Sequence, residues 1–187
     1  MRVLFAIAVL FLPLVSIAQS DTWDEFKAFE GRFRVLAPAA LKQAVDTVDT
    51  PVGALTYYTY YYQPPEEEKS AENLMYMVSY CDYPEGSIHA DSTELLESFF
   101  ETTMESGAFS INGELVYHTE RNLGEAKGTY WRIDYLKGDA VLKTWALVNE
   151  NRFYSVQTAT VATRSLNRSS DRFFDSFALI QAEEEQP

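Results

Sequence analysis

The chain is poor in the residues that usually announce chemistry. Cys81 is its only cysteine among 187 residues. No intrachain disulfide can form, so the fold must be held by its core alone. Histidine is almost as scarce. His89 and His118 are the only two, and neither has a second His or a Cys at the spacing of a structural zinc site. No Gly-x-Ser-x-Gly string marks a nucleophile elbow. No Gly-rich loop is shaped to cradle phosphate, and no Asp-x-Asp-x-Asp-Gly loop is shaped for calcium. The expectation for catalytic residues, metal ligands and cofactors is therefore none. Positive charge is short as well, with 15 Lys and Arg against 28 Asp and Glu. Past Val15 there is no apolar run near the roughly 20 residues that a membrane-crossing helix needs.

What is present begins at the N-terminus. Arg2 supplies a positive charge, Val3 to Val15 is apolar, and Ser16-Ile17-Ala18 places small residues three and one positions before Gln19. This pattern predicts a secretory signal peptide over residues 1–18, cut near Ala18-Gln19. No cysteine at that junction could take a lipid. Removing 18 residues leaves 169, a length suited to one domain. Arg2 is the only charge removed, so the formal net charge moves from −13 to −14. A chain so acidic repels phosphate backbones and anionic headgroups when taken as a whole. No nucleic-acid partner and no membrane span are expected, and the product is expected to be soluble in the periplasm or outside the cell.

Apolar alternation runs through the rest. Phe33, Val35 and Ala37 alternate with Arg32 and Arg34, and Trp131, Ile133 and Tyr135 with Tyr130, Arg132 and Asp134. Both are strands with one buried face. Turn residues at Pro51-Val52-Gly53, Lys137-Gly138-Asp139 and Glu150-Asn151 separate extended runs by connections too short for crossover helices. The last three strands should form an antiparallel meander. Leu95, Leu96, Phe99, Phe100 and Met104 recur at helical spacing and predict one long helix over residues 92–106. Asp91 and Glu94 form its capping-box-like start, and Gly107 takes the left-handed turn after it. A shorter helix from Ser169 or Ser170 carries Phe173, Phe174 and Phe177 inward, with Leu179 and Ile180 closing the fold. Residues 19–182 thus read as one α+β domain, followed by an acidic tail over 183–187.

Taken in order, the recognisable pieces are Trp23, Gly31 to Pro38, Thr47 to Gly53, Met77 to Pro84, the long helix, Asn151 to Tyr154, and Phe173 to Leu179. This order resembles small secreted bacterial domains related to PsbP, the extrinsic subunit of photosystem II, whose fold a Ran-binding nuclear-import protein shares. The resemblance covers nearly the whole exported chain. It implies a central antiparallel sheet with two or more helices packed on it, and roles in binding or assembly rather than catalysis. A lipocalin-like β-barrel with one helix is the alternative architecture.

Three stretches invite a functional reading. Glu94, Glu97, Glu101 and Glu105 recur every three or four residues, a carboxylate stripe that reads first as the wet face of a helix. Cys81, inside Met77 to Cys81, reads as a buried small hydrophobe. Tyr57, Tyr58, Tyr60, Tyr61 and Tyr62 crowd one strand, and alternation puts Tyr58, Tyr60 and Tyr62 on one face as a candidate platform for a partner or ligand. The leading reading is an exported, non-catalytic domain that binds or scaffolds an unknown protein partner. The alternative is a small-ligand or glycan binder that uses the tyrosine strand, and a third is an enzyme assembled from scattered carboxylates.

Overall fold

Alternation of apolar and polar residues decides most of the strands, and the short turns decide how they pair. The computed structural model describes residues 23–88 and 92–180. The expected signal peptide, His89, Asp91 and the acidic tail lie outside the described residues. The chain opens with β1 (Asp24–Ala28) and β2 (Phe33–Ala37), then β3 (Lys42–Thr50), β4 (Gly53–Tyr62) and β5 (Met75–Asp82). Helix α1 (Thr93–Ser110) follows, then β6 (Glu114–Glu120), β7 (Lys127–Tyr135), β8 (Ala140–Asn149) and β9 (Arg152–Val161). Helix α2 (Arg168–Ser176) and the two-residue β10 (Ala178–Leu179) end it.

Seven strands form one antiparallel sheet in the order β3-β4-β5-β9-β8-β7-β6. It consists of two meanders, β3-β4-β5 and β6 to β9, joined where β5 pairs with β9. The expected C-terminal meander is therefore present, one strand longer than the turns alone indicated. Because β3 and β6 remain edges, the sheet is open. The lipocalin-like barrel is ruled out, since a barrel needs its first and last strands to pair.

The two faces are covered differently. Over one lie the small sheet β1-β2-β10 and helix α2. Phe33, Phe173, Phe174 and Phe177 from that layer meet Tyr76, Val78, Tyr80, Tyr154, Val156, Trp145 and Leu147 from the large sheet. Phe33 stacks on Phe177 at 5.6 Å between ring centroids and meets Tyr154 edge-on at 6.4 Å. Each such ring, fully buried, is worth roughly 1.5–3 kcal/mol of transfer free energy, which is how a disulfide-free chain stays folded. The Ser176 hydroxyl accepts the Leu36 N–H at 2.9 Å and fixes α2 to β2.

The opposite face carries Cys81, Phe153, Val148, Ala146, Trp131 and Ile133, covered by α1 through Leu96, Phe100, Met104 and Ala108. Cys81 has no exposed surface, and burial pushes its thiol up to about 11. It occupies the small apolar position that its strand context indicated.

The helix ends differ from expectation. Gly107 does not end α1, which continues to Ser110, and the left-handed residue is Asn112 with φ 50°. Ala108 extends the buried stripe by one more turn, so packing overrides the glycine. Leu95, read with the apolar face, is 54% exposed. The stripe advances four residues at a time through Leu96, Phe100 and Met104, which turns position 95 toward water. Helix α2 starts earlier than Ser169, because Asn167 is its cap and its Oδ1 accepts the Ser170 N–H at 2.7 Å.

Candidate functional site

The tyrosine strand is built into the fold. Tyr58, Tyr60 and Tyr62 of β4 face the small sheet, opposite Tyr80, Val78 and Tyr76 of β5 in register. Tyr58 lies flat on Tyr80 at 5.0 Å, and Tyr62 on Tyr76 at 6.4 Å. Tyr60 is only 8% exposed, wedged against Phe26 at 5.1 Å and Phe33 at 5.7 Å. Its hydroxyl accepts the Gln43 side-chain N–H at 3.2 Å, and the Tyr62 hydroxyl donates to Glu68 at 3.4 Å. Burial raises the phenols of Tyr60, Tyr62 and Tyr80, the last to about 12. Tyr58 and Tyr62 are half-buried, each stacked on a tyrosine of β5.

The concave feature lies on the other face. A cleft of about 360 Å³ opens between the first half of α1 and the β6–β7 hairpin. Thr93, Leu96, Glu97, Phe100, Glu101 and Met104 line it from the helix, and His118, Glu120, Asn122, Lys127, Gly128 and Thr129 from the hairpin. Side-chain size explains why it is there. On the face that α1 covers, β7 supplies Ile133 and Trp131, which fill the space, and then the smaller Thr129 toward the start of the helix, while Gly128 adds only backbone there because its Cβ direction points to Leu147 on the opposite face. The same helix leaves a gap where the floor is low.

The hairpin holds that floor through close approach of backbones. A Cβ on Gly128 would stand 2.5 Å from the Arg121 carbonyl oxygen and 2.5 Å from Leu147 Cδ2, so no other residue fits. The Gly128 N–H donates to Asn122 Oδ1 at 2.9 Å, while the Asn122 amide donates to Glu120 Oε1 and aims that carboxylate. Arg121 anchors the loop from the far side. Its guanidinium lies 4.2 Å over the Trp145 ring and pairs with Asp175 at 2.7 Å, and its carbonyl accepts the Trp145 indole N–H at 2.7 Å.

The cleft thus combines an apolar helix wall of Leu96, Phe100 and Met104 with a rim of Glu97, Glu101 and Glu120 set against Lys127. With His118 neutral, that rim carries a formal charge of −2, the sum of three carboxylates and one ammonium. Among the described residues no group of three His, Cys, Asp or Glu could hold a metal ion. The three glutamates are exposed to water. The chemistry this offers is recognition of a ligand with a positive head and an apolar stem. Beside the cleft, on the strand paired with His118, the buried Trp131 indole N–H has no hydrogen-bond partner among the described residues.

Two residues of the glutamate stripe, Glu97 and Glu101, therefore line the cleft, and Glu94 and Glu105 do not. His118 lines it too. Glu120, Asn122, Lys127 and Gly128 were not singled out by sequence. They are ordinary hairpin residues until α1 crosses above them, and the one available signal was a glycine inside a strand pattern, which marks close backbone approach.

No family model matches the chain, and no curated protein matches it. Among solved structures, it is similar to the solution structure of cyanobacterial PsbP (CyanoP) from Synechocystis sp. PCC 6803. The TM-score is 0.51 at 11% sequence identity, over 89% of this chain and 99% of that chain. At this identity the likeness concerns the fold: the architecture is a PsbP-like α+β fold, as the order of sequence motifs indicated.

Proposed function

We propose that this protein is an exported, non-catalytic domain that holds a cationic segment of a protein partner in the cleft between α1 and the β6–β7 hairpin. The observation that carries this reading is the cleft's construction, an apolar helix wall of Leu96, Phe100 and Met104 rimmed by Glu97, Glu101 and Glu120. A lysine or arginine side chain lays its aliphatic stem on apolar surface and keeps its charge at the rim, which matches those two features. The acidity of the whole chain steers such a partner toward it. Export rests on the signal-like sequence of residues 1–18.

A photo-crosslinking residue placed at Glu101 in the exported protein should give a discrete adduct that a lysine-rich apolar peptide competes away and that Glu97→Lys with Glu120→Lys abolishes. The same residue placed at Lys137 should not give that adduct. Absence of an adduct at Glu101, or one indifferent to both the peptide and the charge reversal, overturns the reading. Glycan binding on Tyr58, Tyr60 and Tyr62 is the weaker reading, because Tyr60 is spent on the core. Quenching of tyrosine emission by a glycan panel, lost in Tyr58→Ala, would restore it.

A further inference from the structure

Among the described residues the large sheet ends in two edge strands, β3 and β6, and they differ in how open they are to another strand. The register of β6 with β7 shifts at Val116, between Leu115 and Tyr117. Such a bulge bends an edge away from further pairing. β3 carries no bulge. It runs nine residues, Lys42 to Thr50, in unbroken register with β4, contains no proline, and is exposed at every residue from Lys42 to Asp49. A strand edge offers N–H and C=O groups from alternate residues, and the ligand that satisfies such a row is another extended backbone.

Charge then selects which backbone, and in which register. Alternation puts Gln43, Val45, Thr47 and Asp49 on the face shared with Tyr58 and Tyr60, and Lys42, Ala44, Asp46 and Val48 on the other. Two copies related by a two-fold axis normal to the sheet present the same faces, so antiparallel β3 strands meet only in registers centred on a residue. Centring on Asp46, which aligns the whole strand, sets that carboxylate directly against its own copy, an unfavourable pair. Centring on Thr47 leaves Lys42 outside the ladder and sets Asp46 and Asp49 against Val48 and Val45. Centring on Val45 keeps Lys42 to Val48 in the ladder with no like charges opposed. Val45, 56% exposed in the single chain, then meets its own copy, and Gln43 meets Thr47. Lys42 lies opposite Val48 and diagonal to Asp46, roughly 7–8 Å away and within reach of its long side chain. Two-fold symmetry makes that ion pair twice.

We propose that β3 pairs antiparallel with β3 of a second copy of this chain, centred on Val45, so that two large sheets become one continuous sheet. The bulge on β6 keeps the outer edges from adding further copies, so the assembly closes at two. The cleft lies against the β6–β7 hairpin, at the edge of the sheet opposite the seam, so both clefts stay open. A dimer then offers two sites for cationic segments, and a partner carrying two such segments gains avidity. That consequence rests on the cleft reading, whereas the strand pairing does not.

The test is sedimentation velocity of the exported protein over a range of concentrations at about 0.15 M salt, where the net negative charge of each copy is screened beyond roughly 8 Å. Wild type should pass from monomer to dimer as its concentration rises. Lys42→Asp turns both ion pairs into like-charge pairs and should weaken the dimer about tenfold, while Lys42→Asp with Asp46→Lys should return it to within about threefold of wild type. Under mild oxidation Val45→Cys should give a disulfide-linked dimer, because opposed Cα atoms in such a ladder stand about 5.5 Å apart, within disulfide range. Thr47→Cys, displaced along the strand from its own copy, should not, and Cys81 has no exposed surface with which to interfere. All of these positions on β3 are exposed, so an unchanged thermal melt verifies folding. A wild type that stays monomeric at every concentration, a charge swap that restores nothing, or equal cross-linking at Val45 and Thr47 overturns the proposal. A dimer indifferent to Lys42→Asp overturns it as well, since the copies then meet elsewhere.

Discussion

The two faces of the large sheet are covered with unequal thoroughness. One lies under a second sheet and a helix whose Phe173, Phe174 and Phe177 interlock with Phe33, Trp145 and Tyr154. The other lies under α1 alone, and one helix about 10 Å across cannot cover seven strands. Where the residues beneath α1 are large the contact is filled, and where β7 presents Thr129 a cleft remains. Stability is concentrated on the first face and room for a ligand on the second. A fold with so unequal a cover has freedom to vary its binding chemistry without touching the aromatic layer that holds it together.

The largest effect that would test this division is on the first face. Phe177→Ala removes a ring that is 2% exposed and touches Phe33, Trp145 and Tyr154. It should cost about 3–5 kcal/mol, read as a lower denaturant midpoint. An equal loss from Phe100→Ala, on the second face, would show that the faces do not differ in this way. Next in size is Gly128→Ala, which forces a Cβ against the Arg121 carbonyl and Leu147. It should cost about 1–3 kcal/mol and weaken binding of a lysine-rich peptide, whereas Gly124→Ala, in open space at φ 58°, should leave peptide binding unchanged.

A smaller effect belongs to alkaline pH. Burial pushes Tyr80 up to about 12 and raises Tyr130 further in the same direction, both on the aromatic face. A phenol ionises near 10 in the unfolded chain. Below pH 10 both states are protonated and the stability is intact. Between pH 10 and 12 the unfolded state ionises first, so stability falls as pH rises. A melting temperature flat across that window would show that the tyrosines are not held neutral by the fold.

The smallest effects belong to the cleft. Glu97→Gln with Glu101→Gln changes exposed side chains and should shift stability by no more than about 0.5 kcal/mol, while titration calorimetry shows weaker binding of the same peptide. Trp131→Phe removes the indole N–H that lacks a partner and should leave stability within about 1 kcal/mol of wild type. A large loss in either variant would mean that these groups are structural.

Local pattern was enough for the strands with one buried face, such as β2 and β7, because a period of two can bury only one face. Phe33, Val35 and Ala37 are buried as their spacing required, and Cys81 sits inside a strand of small and apolar residues. Boundaries were less legible. Gly107 looked like a stop, yet burial of Ala108 carried α1 onward to Ser110. The cleft was legible only in halves: Glu97 and Glu101 stood out on the helix, while Glu120 and Lys127 did not stand out at all.

Sequence by itself determined the long helix, the hairpin-connected strands and the acidic balance of the chain, since these follow from short-range periodicity, turn chemistry and counting. Tertiary structure alone decided how the tyrosine strand would be packed, how β5 and β9 would join the two meanders, and where α1 would leave a gap. Each of those depends on how side chains from distant segments fill, or fail to fill, the same volume, and that volume exists only once the sheet is assembled.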